Sequence, residues 1–157
     1  MRLLFPQGPP GQPVVVTMTS APQSPTIAAM IERLIRGAGL RTGMSTRTGV
    51  SFGGEPFGMA PDRHSPGLNR VMFNTLTEAA ILEIGHPEIE QMGLPFRKID
   101  VALLIAGADD EPGSGLRGAA SLLVSLANGG GTVISHAGDP RFAAERRRDP
   151  GRWILLS

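Results

Sequence analysis

The chain has 157 residues, of which 41% are hydrophobic and 18% charged, with a formal net charge of +1. That supports one core and excludes a largely disordered chain, while the near-zero charge excludes strong steering towards nucleic acid or a membrane. Cysteine is absent, so there is no disulfide framework, thiol nucleophile or thiolate metal site. No run approaches ~20 apolar residues and no secretory start is present, so a cytoplasmic protein is expected. Residues 1–12 hold Leu3-Leu4-Phe5, then Pro6, Gly8, Pro9, Pro10 and Gly11, a stiff extended arm. A single α/β domain is expected over residues 13–157.

Residues 14–17, Val-Val-Val-Thr, are β-branched throughout, as a central parallel strand should be. The following loop enters a helix at Ser24-Pro25, read as an N-cap with proline at the first helical position. A loop that grips phosphate at this place needs glycines to wrap it, a lysine to reach it and a hydroxyl for magnesium. Residues 14–26 contain neither Gly nor Lys, and Pro22 and Pro25 remove two amide donors. Ile27, Met30, Ile31, Leu34 and Ile35 form a core stripe, with Glu32, Arg33 and Arg36 off it, and Gly37 and Gly39 end the helix.

A second strand is predicted over 41–45, and a loop or hairpin over 46–54 that turns at Gly49 and Gly53-Gly54. Residues 55–66 show no period; His64 among them reads as a solvated loop histidine rather than a ligand or base. Ser65-Pro66 caps a helix with Leu68, Val71, Met72 and Thr75 on one face. Residues 79–84 form a buried strand that places Glu83 near its C-terminal end, where open α/β sheets bind ligands. Glu83 reads as a paired or hydrated carboxylate, since one carboxylate alone is a weak magnesium site. His86, Glu88 and Glu90 make no metal site: groups two apart on a helix diverge, and Pro87 disturbs the geometry.

Residues 100–106 form the next strand. Leu116, Ala119, Ala120, Leu122, Leu123 and Leu126 mark a helix ended at 128–131, and 132–135 a further strand. Arg141, Arg146, Arg147, Arg148 and Arg152 could touch phosphate or RNA, but Glu145 and Asp149 dilute them and the run reads as a solvated helix face. Trp153-Ile154-Leu155-Leu156 reads as a terminal edge strand and a candidate dimer surface.

The junction from Leu4-Phe5-Pro6 to Pro13-Val14-Val15-Val16-Thr17-Met18-Thr19-Ser20 resembles the entry into the Mur-ligase-like domain of cyanophycin synthetases. Thr77-Glu78-Ala79-Ala80-Ile81-Leu82-Glu83-Ile84, Ile99-Asp100-Val101-Ala102 and Thr132-Val133-Ile134-Ser135-His136-Ala137-Gly138-Asp139-Pro140 are similar to further segments of that family, in family order. The resemblance implies a three-layer α/β sandwich with a mostly parallel central sheet, P-loop-NTPase- or Rossmann-like, of the Mur ligase central-domain type. It also implies an ATP site, whose glutamate, matching Glu83, helps hold magnesium. The departures fall on that site. Where the family has Thr-Gly-Thr-Asn-Gly-Lys-Thr-Thr, this chain has residues 17–24 without Gly or Lys. At 85–91 a basic Gly-rich segment has become acidic, and the closing C-terminal ligase domain is expected to be missing.

The expectation is therefore a non-catalytic relative with no catalytic or metal-binding residues and no bound ATP or magnesium. It would act as a homo-oligomer, or as a scaffold or regulatory partner of a ligase or biosynthetic enzyme, without nucleic acid or membrane. The alternative is a reused pocket for a small molecule or nucleotide, with residual ligase-type or other activity. Its polar groups would be Thr19, Ser20, Gln23, Ser24, Glu83 and His86.

Overall fold

The computed structural model describes residues 13–59, 67–85, 89, 93–107, 116–149 and 151–157. Its strands are β1 (Val14–Thr19), β2 (Thr42–Thr46), β3 (Gly49–Phe52), β4 (Glu55–Met59), β5 (Ala79–Ile84), β6 (Val101–Leu104), β7 (Thr132–His136) and β8 (Arg152–Leu156). Its helices are α1 (Ser24–Gly37), α2 (Gly67–Met72), α3 (Leu116–Ala127) and α4 (Pro140–Arg148). One eight-stranded sheet runs in the order β4-β3-β2-β5-β1-β6-β7-β8. All neighbours are parallel except β2–β3 and β3–β4.

β1 lies between β5 and β6, with Met18 opposite both Glu83 and Leu103. Successive side chains of a strand point to opposite faces. Val16 and Met18 of β1, with Ile81 of β5, meet Ala28, Ile31 and Ile35 of α1. Val15, Leu82, Ile84, Ala102, Leu104 and Val133 meet α2, α3 and Phe142 of α4 on the other face. The result is the expected three-layer α/β/α sandwich, with burial on both faces of its central strands. Leu82, Ile84 and Leu123 are fully buried, each contributing roughly 1.5–3 kcal/mol of transfer free energy.

Three sequence expectations change. The core stripe of α1 is rotated: Ser24, Ala28 and Glu32 are its buried residues, while Met30 is 63% and Leu34 75% exposed. The sheet side of this helix offers hydroxyl and amide donors to Glu32, so a polar residue takes the inward place that apolar spacing assigned to its neighbours. The N-cap is Gln23, with no side-chain cap bond, and proline occupies the first turn one place later than expected. Residues 55–59, read as loop, form β4. Pro56 and Gly58 hide a strand from a propensity reading, yet an edge strand tolerates Pro.

The β3–β4 turn is built on Gly53 and Gly54, whose φ values of 59° and 84° suit the two central positions of a type I′ hairpin. Phe52 and Phe57 then meet edge to face, centroids 5.4 Å apart. Gly43 on β2 is packed closely: a Cβ there would come within 2.9 Å of Thr77 Oγ1 and Val71 Cγ1. The arm over 1–12, the cap at Ser65-Pro66, His64, His86, Glu88 and Glu90 lie outside the described residues.

Candidate functional site

In an open α/β sheet the ligand crevice lies beyond the C-terminal strand ends, where the chain switches direction of winding. Here β1 is the switch: α1 leads from it to one half of the sheet and over one face, while β6, β7 and β8 extend the other half beneath α3 and α4. The loops after β1 and β6 flank the crevice, and the structure stitches them together. Thr19, fully buried, donates its hydroxyl to the Ile105 carbonyl and accepts from the Ile105 amide at 2.7 Å. Gln23 Nε2 reaches the Ala106 carbonyl at 3.3 Å.

Three of the loop's amide donors are engaged within the chain. The Ser20 amide donates to the Ile84 carbonyl (3.1 Å), and the Ser24 amide to Ala21 O (2.9 Å). The Ala21 amide donates to Ser24 Oγ (2.9 Å), which in turn donates to Thr19 O (2.8 Å). Ser24 is thus a fully buried staple within the loop rather than a cap. Pro22 and Pro25 have no amide to give. An anion site at a helix N-terminus needs these N–H groups directed outwards.

Glu83 is 7% exposed on β5. It accepts from Ser20 Oγ at 2.8 Å and from the Arg47 amide at 2.9 Å, and Arg47 Nε lies 3.2 Å from Oε1. Arg47 sits in the two-residue turn between β2 and β3, so the carboxylate ties the hairpin tip to the end of β1. The paired strand-end carboxylate read from the sequence is what the structure places here. Arg47 is the residue that reading missed, because a turn arginine carries no local sign of its partner.

Thr19, Ser20, Gln23, Ser24 and Glu83 are therefore brought together, and His86 lies outside the described residues. The Ser20, Ala21 and Ser24 amides, the Thr19, Ser20 and Ser24 hydroxyls and the Glu83 carboxylate are each engaged by other groups of the chain. The chain's single lysine, Lys98, precedes β6 at the opposite end of the strands, 3.3 Å from Asp100. Among the described residues no group of three His, Cys, Asp or Glu could hold a metal ion, and no helix is long and apolar enough to cross a membrane.

The arginine run is not one solvated face. Arg141 turns inward, giving Nη1 to the Gly107 carbonyl (2.7 Å) and Nε and Nη2 to Asp139 (2.9 and 2.8 Å). Asp139 also N-caps α4 through the Arg141 amide. Hydrogen bonding from the Arg141 side chain, then from its backbone amide, holds the Asp139 carboxyl below its usual range against the opposing effect of burial. Glu145, expected in solvent, is 4% exposed beside the buried Phe142 face. Arg147 and Arg148 remain exposed.

An eight-stranded, mostly parallel sheet with this order and helices on both faces is the Mur ligase central-domain fold. The chain is similar to the structure of UDP-N-acetylmuramoyl-L-alanyl-D-glutamate--2,6-diaminopimelate ligase, with a TM-score of 0.72 and 15% identity, over 98% of this chain and 34% of that one. Mycobacterium tuberculosis folylpolyglutamate synthase, complexed with ADP and AMPPCP, aligns with a TM-score of 0.55 and 15% identity, over 98% and 45% of the two chains. The bifunctional folylpolyglutamate synthase/dihydrofolate synthase of Yersinia pestis, complexed with AMPPNP and Mn ion, gives 0.59 and 14%, over 93% and 43%. At such identities the likeness is one of fold, and the chain spans less than half of each of these proteins. No family model matches the chain, nor does any curated protein.

Proposed function

We propose that this domain is a non-catalytic relative of the ATP-binding domain of Mur ligases and cyanophycin synthetase. It works by binding, as a homo-oligomer or as a scaffold or regulatory subunit of a ligase or biosynthetic complex. The observation that carries this reading is the closed loop after β1, whose Ser20, Ala21 and Ser24 amides are all consumed by the chain itself. Arg47 on Glu83 supports it, because the carboxylate best placed to hold a metal already has a cation. Phosphoryl transfer depends on positioned donors and charge stabilisation, and the loop after β1 has neither glycine nor lysine to supply them.

Isothermal calorimetry with ATP and magnesium tests the reading, and no heat is expected. A micromolar isotherm would overturn it in favour of the reused pocket, with Ser20, Ser24 and Glu83 in an unconventional nucleotide site to be assayed for turnover.

A further inference from the structure

At the end of the sheet opposite the crevice, a cavity of about 210 Å³ opens between α3, the end of α4 and the first residues of β7 and β8. Its walls are apolar. Val124 and Ala127 come from the last turn of α3, and Val133 and Trp153 stand in register on adjacent strands, facing the same way. Its rim is polar, because Asn128 follows α3 and Asp149 is the C-cap of α4. A Cβ on Gly151 would stand 3.1 Å from Asp149 Oδ1 and 3.2 Å from Asn128 Oδ1. The two oxygens therefore flank Gly151, and the bare glycine leaves the gap between them open.

The rim favours a cation. α3 and α4 both bring their C-terminal ends to it, and that end of a helix carries about half a negative charge. Asp149 adds a carboxylate. Its Oδ1 accepts from the Gly151 amide at 3.0 Å, and no lysine or arginine among the described residues pairs with it. The neighbouring arginines are directed elsewhere. Arg152 is in register with Thr132, which sets its side chain on the sheet face opposite to Trp153. Arg146 reaches back to the Ala137 carbonyl. Trp153 Nε1 donates to the Asp149 carbonyl at 2.8 Å, which holds the indole beside the acid. An ammonium group gains from a carboxylate and from an aromatic ring together. A divalent metal ion takes about six oxygen ligands, and only two side-chain oxygens meet here.

We propose that this cavity binds a primary ammonium group on an aliphatic stem. The ammonium donates to Asp149 and to Asn128 Oδ1, and the stem lies along Trp153 and the α3 wall. The inference goes beyond the non-catalytic reading and does not rest on it. At about 30 Å³ for each water-sized group, the cavity holds about seven non-hydrogen atoms, the size of hexylamine. A ligand so small should bind with a dissociation constant on the order of millimolar. A free alkylamine and a lysine side chain of another protein both carry this chemistry.

The chain has one tryptophan and no tyrosine, so the fluorescence of Trp153 reports on the cavity. Titration with hexylamine to about 20 mM, well above a millimolar constant, should give a saturable change in emission. Hexanoate, with the opposite charge, should give none, and hexanol should bind about tenfold more weakly. Asp149→Asn keeps an acceptor for the Gly151 amide but loses the charge. It should weaken hexylamine about tenfold, with circular dichroism unchanged. Gly151→Val, at an exposed position, should close the gap between the oxygens and abolish the response without removing the carboxylate. No saturable response from the wild-type chain overturns the proposal. So does hexanol binding as tightly as hexylamine, or a hexylamine response that D149N leaves unchanged. Nα-acetyl-lysine N-methylamide separates the two sources: tighter binding than hexylamine supports a lysine of another protein, and weaker binding a free amine. The ATP titration reads the other end of the strands, so the two readings fail separately.

Discussion

Glu32 on α1 and Glu83 on β5 are buried to a similar degree, 6% and 7% exposed, and clasp the β2–β3 hairpin at opposite ends. Glu32 holds the base with neutral donors alone: Thr42 Oγ1 at 3.0 Å, Ser51 Oγ at 3.2 Å and the Gly54 amide at 3.2 Å. Glu83 holds the tip with Arg47 and the Ser20 hydroxyl. The difference follows from where each carboxylate lies, one inside the layers and the other at a strand end. A carboxylate inside the layers needs only enough hydrogen bonds to offset its burial. At the strand end, where α/β sheets receive ligands, the chain has placed its own cation on the carboxylate.

The largest effect should come from Glu32→Leu, which leaves three donors at the hairpin base without an acceptor. A loss of about 3 kcal/mol or more in urea unfolding is expected, against about 1 kcal/mol for Glu32→Gln, which keeps an acceptor. Equal losses for the two variants would show that the carboxylate's charge, not its acceptor atoms, holds the base. Gly43→Ala tests the packing between the two clasps. Its methyl would press on Thr77 and Val71, and about 2 kcal/mol should be lost.

Arg47→Ala should cost about 1 kcal/mol, less than a buried pair because the Arg47 side chain is 44% exposed. In a double-mutant cycle with Ser20→Ala the two should couple through Glu83; strict additivity would separate them. Asp139→Asn, at another strand end with its own arginine, should cost about 1 kcal/mol as a lost cap and pair. The folded-state pKa of Asp139 is depressed by Arg141, so its contribution is complete above the ordinary value of 3.8 and is lost as pH falls through the lower folded value. Wild-type stability should drop more steeply on acidification below that point than D139N stability; parallel pH curves would remove Asp139 from the account. Glu78→Gln should matter least, since its partner Arg41 and the carboxylate are both solvated.

The strands β1, β5, β6 and β7 were legible because each is a short, mainly apolar run set off by turn and loop residues. The polar groups at the strand ends were named from the sequence, though His86 lies outside the described residues, and what each touches was not. Thr19, Ser20, Gln23, Ser24 and Glu83 do gather, yet Ser24 was read as a cap from its local Ser-Pro signature, whereas its hydroxyl closes the loop back to Thr19. Leu34 was read as core from a period of 3.6, although the period fixes a stripe on α1 and not which way the helix is turned on the sheet.

The residues alone determined the alternation of strands and helices, the edge position of residues 153–156, and a loop after β1 without glycine or lysine. Each is a property of a short stretch of chain. Only the tertiary structure decided that Glu32 faces inwards, that β4 is a strand, and that Arg47 belongs to Glu83, 36 residues away. Those outcomes depend on which distant donors meet a group once the layers close, and no local pattern of residues carries that information.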